Sequence, residues 1–138
     1  MDHIHLIRKV AKAYNNLDYT EIEEVASDQI IYENQSIFNP LKGKREVTGY
    51  LKRMFDKMKC SGNLLFAEIG IVKEKSNSRL KYIEYCEGSP CIIMSEGHKE
   101  NKVALILIEA EGEKLARIDI CTVAPHWSQA EVMNEYAA

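Results

Sequence analysis

The sequence predicts an α+β domain in which three helices from the N-terminal half pack on a mostly antiparallel sheet. Three observations lead to this prediction. Apolar residues recur at helical spacing in the first part of the chain, alternating segments separated by turn residues fill the rest, and residues 29–59 place a strand, a turn and an amphipathic helix in succession. With 138 residues, of which 46% are hydrophobic, we expect one domain over residues 1–138, with residues 126–138 as a C-terminal tail.

Two helices are predicted before the first strand. In residues 2–17 the apolar side chains recur every three or four positions, and Asn15 and Asn16 end the segment. Asp18 can cap a second, shorter helix with Glu21 three residues later, and residues 27–28 end that helix. The side chains predicted to be buried in these helices are Ile4, Ile7, Val10, Ala11, Tyr14, Leu17, Tyr19, Ile22, Val25 and Ala26.

The third helix is the element around which the rest of the chain is organised. A short strand at residues 30–32 precedes it, and residues 39–43 supply the turn between the two. The helix carries one continuous apolar stripe at positions i, i+3, i+4, i+7, i+8 and i+11, which predicts that this face lies against a sheet. The stripe consists of Val47, Tyr50, Leu51, Met54, Phe55 and Met58.

After residue 60 the chain is predicted to form strands joined by tight turns. The predicted strands are residues 64–74, 80–87, 91–95, 103–110 and 115–123. Turn residues at 76–78, 88–90, 97–101 and 111–113 separate them, a spacing that favours successive antiparallel hairpins. The tail at residues 126–138 is polar, with Trp127 and room for a short helix.

Composition excludes several classes of function. The net charge is −3 and the cationic residues are interspersed with acidic ones, so we expect no nucleic-acid partner. The longest strongly apolar run, residues 103–108, is too short to cross a bilayer, so we expect no membrane partner and a cytoplasmic location. The four cysteines show no CxxC spacing, which predicts buried thiols and neither a metal site nor a cofactor.

The element order resembles that of the nuclear transport factor 2-like superfamily. The resemblance also rests on the acidic and aromatic turn at residues 16–19, on residues 39–43 before the third helix, and on residues 113–118 late in the sheet. It implies the cystatin-like cone of ketosteroid isomerases and polyketide cyclases, in which a strongly curved sheet encloses a pocket. That superfamily also includes dehydratases, epoxide hydrolases and members that only bind or dimerise, so fold alone does not choose among these functions.

The resemblance to ketosteroid isomerases can be carried to individual residues. Their general-base aspartate aligns with Asn34, and an amide cannot take a proton from carbon. Their oxyanion-donating tyrosine falls near Tyr14, and their second, protonated acid falls near Ala104. Glu33 is adjacent to the base position, but strand alternation turns it to the opposite face unless a bulge re-aims it.

Asp119 is the remaining acidic candidate. It shares one face of its predicted strand with Arg117 and Cys121, and that face is either the pocket or the exterior. In the pocket, Asp119 would be an acid or base with a pKa raised by desolvation; on the exterior, Arg117 and Asp119 would form a solvated pair, and we favour this second alternative. His98 lies in a predicted loop and is expected to be exposed.

These features leave three interpretations. The one we favour is a protein that binds a small apolar molecule, without assured catalysis, in a pocket lined by Tyr14, Tyr32, Asn34, Tyr50 and Phe55. The second is an isomerase, cyclase or dehydratase with Asp119 or Glu33 as base. The third is a non-catalytic dimerisation or interaction domain that uses the outer face of the sheet. We also expect a homodimer through that face, because residues 103–108 are apolar on both sides.

Overall fold

A computed structural model describes residues 3–36, 39–73, 89–123 and 126–133. The helices among them are α1 (Ile4–Asn16), α2 (Thr20–Val25) and α3 (Lys44–Ser61), with a single 3₁₀ turn at Trp127–Gln129. The strands are β1 (Ala26–Asn34), β2 (Leu41–Lys42), β3 (Leu65–Val72), β4 (Pro90–Glu96), β5 (Lys102–Glu111), β6 (Lys114–Cys121) and β7 (Ala130–Val132).

The described strands form one curled, unclosed sheet in the order β2-β1-β6-β5-β4-β3-β7. Every neighbouring pair is antiparallel except β1 and β6, which run parallel with Glu33 opposite Asp119. The α+β class and the mostly antiparallel sheet are therefore confirmed. The parallel pair was not predicted, because it joins segments about 85 residues apart along the chain.

The main core lies between the helices and the concave face of the sheet. The predicted stripe of α3 packs there, with Val47, Leu51 and Phe55 fully buried and the other members partly buried. Helix α1 presents its own apolar face to β3 and β4. Gly62 ends α3 in a left-handed conformation, and its N–H donates to the carbonyl of Lys59, so the chain turns back into β3.

A second apolar cluster occupies the outer face of the sheet. Its fully buried members are Val72, Cys91, Ile93, Leu105, Leu107 and Cys121, and the C-terminal residues Trp127, Ala130 and Val132 pack on it. Strand β7 pairs with β3, where a Cβ at Gly70 would lie 2.6 Å from the Glu131 carbonyl oxygen. Glycine is thus required for the tail to approach. Residues 130–132, which were predicted as part of a polar tail, form a strand.

The packing of C-terminal residues on the outer face removes the reason given for a homodimer. Leu105 is 0% exposed and Leu107 is 2% exposed within the single chain. The apolar outer side of β5 therefore needs no second copy to bury it. The homodimer stays a prediction, and sedimentation at micromolar concentration would test it.

Several predicted boundaries differ from those in the structure. Residues 27–28 were predicted to end α2 with a turn, but β1 begins at Ala26 directly after the helix. Leu41 and Lys42, predicted as part of a turn, form the short strand β2. Asp18 lies one residue before the N-cap of α2, and its Oδ1 accepts from the Thr20 N–H at 3.0 Å. The predicted strand at 80–87 and turn at 76–78 lie outside the described residues.

None of the described helices is long and apolar enough to cross a membrane.

Candidate ligand-binding cavity

A cavity of about 200 Å³ lies between α1, α3 and the concave face of the sheet. It extends to the end where β3 begins and β4 ends, since its lining includes Leu65 and Glu96, and Glu96 is partly exposed there. The described lining residues are Tyr14, Tyr32, Asn34, Met54, Met58, Leu65, Met94, Glu96 and Ile120.

Tyr14 is the polar residue held most firmly in this cavity. Its side chain projects from α1 and is 1% exposed, and its ring packs edge to face on Phe55 with centroids 5.3 Å apart. The hydroxyl is buried beside the hydroxyl of Tyr32, but it makes no hydrogen bond of good geometry with a described residue. Burial, and then the nearby hydroxyls of Tyr32 and Tyr50, raise the pKa of Tyr14 well above its usual value. The phenol is therefore a neutral hydrogen-bond donor at any physiological pH.

Tyr32 and Asn34 reach the cavity from β1. They share the inner face of the strand because they are two residues apart. The Tyr32 ring lies 5.3 Å from that of Tyr50, and burial is the main cause of a raised pKa for Tyr32. The Asn34 Oδ1 accepts from the Ser36 N–H at 2.9 Å, and the amide N–H₂, the donor of that side chain, lies close to the Tyr32 hydroxyl and opposes the rise in its pKa.

Three of the five predicted lining residues therefore line the cavity, and two support it. Tyr50 and Phe55 are not among the described lining residues, but each packs its ring on a tyrosine that is. Their packing holds Tyr14 and Tyr32 in place and excludes other rotamers.

Sequence reasoning missed the other six described lining residues, which are Met54, Met58, Leu65, Met94, Glu96 and Ile120. The methionines of α3 were recognised only as core, although α3 and the sheet share this cavity. Strict alternation along β4 from Ile92 could have identified Met94 and Glu96. Glu96 escaped because the predicted strand ended one residue earlier.

The acidic candidates Asp119 and Glu33 lie on the outer face of the sheet. Ile118 and Ile120 fill the inner face of β6, so Asp119 points away from the cavity. Arg117 lies between the two carboxylates: its Nη2 is 2.9 Å from Glu33 Oε1 and its Nε is 3.1 Å from Asp119 Oδ1. Neither carboxylate faces the tyrosines, so neither is placed to act as a base on a molecule in the cavity.

The outer position of Asp119 was the favoured alternative, but the expected solvation was wrong. Asp119 is 2% exposed. Burial raises the pKa of its carboxyl to about 6, and Glu33 and Glu109 add to the rise, while the attraction of Arg117 opposes it. Desolvation outweighs the attraction of Arg117 in setting the pKa of Asp119, so the two residues form a buried ion pair and not a surface salt bridge.

The remaining candidate residues, His98 and Ala104, do not form a binding or catalytic site. His98 is exposed in the turn after β4, where its Nδ1 lies 3.1 Å from Glu100 Oε2. Ala104 is buried in the apolar core and offers no donor. Among the residues that the structure describes, no group of three or more histidine, cysteine or acidic side chains is arranged to hold a metal ion.

A larger depression of about 460 Å³ lies where α2 and β1 meet the start of α3. Glu23, Asp28, Lys44 and Arg45 place both signs of charge around it, and Thr48 Oγ1 donates within its own helix to the Lys44 carbonyl at 2.7 Å. It is shallow and open to solvent, and its walls lack the enclosed apolar surface typical of a ligand site. The smaller cavity is therefore the better candidate.

Comparison with known proteins places the fold. No protein-family model matches the chain, and no curated protein sequence matches it. Solved structures do match. An NTF2-like protein of unknown function from Mesorhizobium loti superposes with a TM-score of 0.60 at 11% identity, covering 89% of this chain and 93% of the other.

Two further solved structures also superpose on this chain. A SnoaL-like protein of unknown function from Burkholderia thailandensis gives a TM-score of 0.59 at 15% identity, over 88% of this chain and 94% of the other. An LEH-like epoxide hydrolase from M. tuberculosis gives 0.50 at 16% identity, over 86% and 76%. The chain thus has the nuclear transport factor 2-like fold, as its element order predicted. At such low identity the likeness defines the fold and leaves the function to be argued from the site.

Proposed function

We propose that this protein binds a small apolar molecule that carries one hydrogen-bond acceptor, in the cavity between α1, α3 and the sheet. The observation that carries this proposal is the buried Tyr14 hydroxyl, which lies beside the Tyr32 hydroxyl but makes no hydrogen bond of good geometry within the part of the chain described here. Leaving such a group unsatisfied costs about 1–3 kcal/mol. A site that orders a polar group at this cost, beside a partly open cavity, is suited to a ligand that completes the bond.

The chemistry of the lining defines what the ligand must be. Tyr14 and Tyr32 are neutral donors, and so is the Asn34 amide N–H₂, so a carbonyl, ether or similar oxygen is the complementary group. Met54, Met58 and Met94 form the apolar walls. Methionine side chains are flexible and polarisable, so these walls adapt to aliphatic or aromatic shapes.

Size sets a further limit. A cavity of about 150 Å³ is enough to hold benzene, and drug-sized ligands occupy pockets of roughly 300–1,000 Å³. At about 200 Å³, this cavity takes a molecule only slightly larger than one ring. A steroid would not fit without displacing side chains.

Binding without proton abstraction from carbon is the function that the geometry supports. The base position of the related isomerases is Asn34, and Asp119 and Glu33 lie on the opposite side of the sheet with Arg117. The interaction-domain alternative needs a free outer face, and residues of the chain's own C-terminal part pack on much of it.

Titration calorimetry with cyclohexanone tests the proposal. Cyclohexanone supplies one carbonyl on a ring that the cavity can hold. We expect saturable binding, and Tyr14→Phe should weaken it about tenfold, the loss expected for one buried hydrogen bond. Tyr19→Phe is the matched control, because Tyr19 packs at the edge of the core away from the lining, and it should bind as the wild type does.

Two results would count against the proposal. The first is no detectable heat of binding at millimolar cyclohexanone. The second is binding that Tyr14→Phe and Tyr19→Phe leave equally unchanged, which would place the ligand elsewhere on the protein.

A further inference from the structure

The rim of the cavity carries a carboxylate that the proposed function does not use. Glu96 is the last residue of β4 and pairs with Leu65, the first residue of β3. Both line the cavity. Glu96 is partly buried, and within the described ranges its carboxylate enters no hydrogen bond or ion pair. An acceptor group with no internal partner is left facing the entrance.

The backbone at this position is fixed. The Glu96 N–H donates to the Asn101 carbonyl at 3.0 Å, and Asn101 Nδ2 donates to the Glu96 carbonyl at 2.8 Å. The Gly97 N–H donates to the Leu64 carbonyl, which ties the same turn to the start of β3. The strand end is therefore held in place, and only the Glu96 side chain remains to adapt to a ligand.

The charge along the described lining of the cavity is negative. Of the lining residues that the structure describes, Glu96 alone carries a formal charge, and it is negative. Met58 lies in the last turn of α3, where the aligned peptide dipoles leave partial negative charge on the carbonyl end. The Glu96 end of the cavity therefore favours a positive group, whereas the tyrosine end favours a neutral acceptor.

We infer that the ligand is bifunctional: a neutral hydrogen-bond acceptor at one end, a short apolar segment, and an ammonium or similar cationic donor at the other. This inference rests on the proposed function and adds the second polar end. The acceptor meets Tyr14, the apolar segment lies against the methionines, and the cation pairs with Glu96 at the rim. A charge-assisted hydrogen bond of this kind is stronger than a neutral one.

Two matched probes test the inference: monoacetylated 1,5-diaminopentane and N-pentylacetamide. Both offer an amide carbonyl and the same chain, and only the first carries a terminal ammonium. We expect the wild-type protein to bind the cationic probe about tenfold more tightly at low ionic strength. The preference should shrink as salt is added, because the rim is partly exposed and its charge is screened.

Variants locate the source of the preference. Glu96→Gln should bring the ratio of the two affinities close to one, and Glu96→Lys should reverse it. Glu113→Gln is the matched control, since Glu113 is an exposed carboxylate in the turn between β5 and β6, and it should keep the wild-type ratio. Equal binding of the two probes to the wild-type protein would overturn the inference and leave the proposed function standing. If neither probe binds while cyclohexanone does, the inference alone is overturned. If cyclohexanone does not bind either, the proposed function itself is overturned.

Discussion

Replacing Tyr14 by phenylalanine is expected to stabilise the ligand-free protein. Most substitutions in a core destabilise, typically by about 1 kcal/mol. Here the change removes only a hydroxyl that is buried without a hydrogen bond of good geometry to a described residue, and it retains the ring that packs on Phe55. The desolvation cost of that hydroxyl disappears with it.

The magnitude follows from the burial of the group. An unsatisfied buried polar group costs about 1–3 kcal/mol, and the loss of the small packing volume of one oxygen offsets part of this gain. We therefore expect Tyr14→Phe to raise the free energy of unfolding by about 1–2 kcal/mol. Ligand affinity should fall in the same variant, so stability and binding change in opposite directions.

Urea denaturation measures the effect directly. With a slope of about 2 kcal/mol/M for a domain of this size, the midpoint should rise by about 0.5–1 M without a change in slope. Tyr19→Phe should leave the midpoint near its wild-type value. A midpoint that falls by 0.5 M or more in Tyr14→Phe would refute the reasoning, because it would mean that the hydroxyl is hydrogen-bonded in solution. Each midpoint shift is the change in the free energy of unfolding divided by the slope of about 2 kcal/mol/M.

Three further predictions concern the core, the outer face and the chemistry. Phe55→Ala should lower the free energy of unfolding by about 3–5 kcal/mol, and a loss below about 1 kcal/mol would contradict the core position of Phe55. Burial holds the folded pKa of Asp119 near 6 against an ordinary 3.8, so wild type should lose about 2 kcal/mol of stability relative to Asp119→Asn as pH rises from 4 to 7. Urea melts that give the same difference between wild type and variant at both pH values would contradict this. The protein should not isomerise a Δ5-3-ketosteroid, since Asn34 offers no base and the cavity is small, and turnover by the wild type would refute this.

The sign of the Asp119 prediction follows from proton linkage. A carboxyl whose pKa is raised in the folded state keeps its proton there between about pH 4 and 6, where the unfolded chain has released it. The stability from this group is therefore fully present below its unfolded pKa and is lost as the pH rises through 6. The other acidic groups titrate in both proteins, so the difference between wild type and variant isolates Asp119.

Local periodicity carried most of the fold prediction. The stripe from Val47 to Met58 is decided by residues within one helix of 18 residues, so its buried face could be read directly from spacing. The same holds for the alternation that placed Asp119 opposite Ile118 and Ile120. Neither inference needed information from distant parts of the chain.

The errors arose where distant segments meet. The parallel pairing of β1 with β6 and the addition of β7 to β3 depend on contacts far apart along the chain, and no local pattern records them. The buried state of Asp119 has the same origin, since its neighbours Glu33 and Glu109 come from two other strands. The missed role of Glu96 was instead a boundary error of one residue at the end of β4.

The methionines of the cavity provide the most direct test that a ligand binds there. Met54, Met58 and Met94 line it, whereas Met133 follows β7 at the far edge of the sheet. With ¹³C-labelled methionine methyl groups, titration with cyclohexanone should shift the resonances of the first three along one common saturation curve and leave Met133 unmoved. Unchanged resonances of Met54, Met58 and Met94 at saturating cyclohexanone, or a shift confined to Met133, would contradict binding in the cavity.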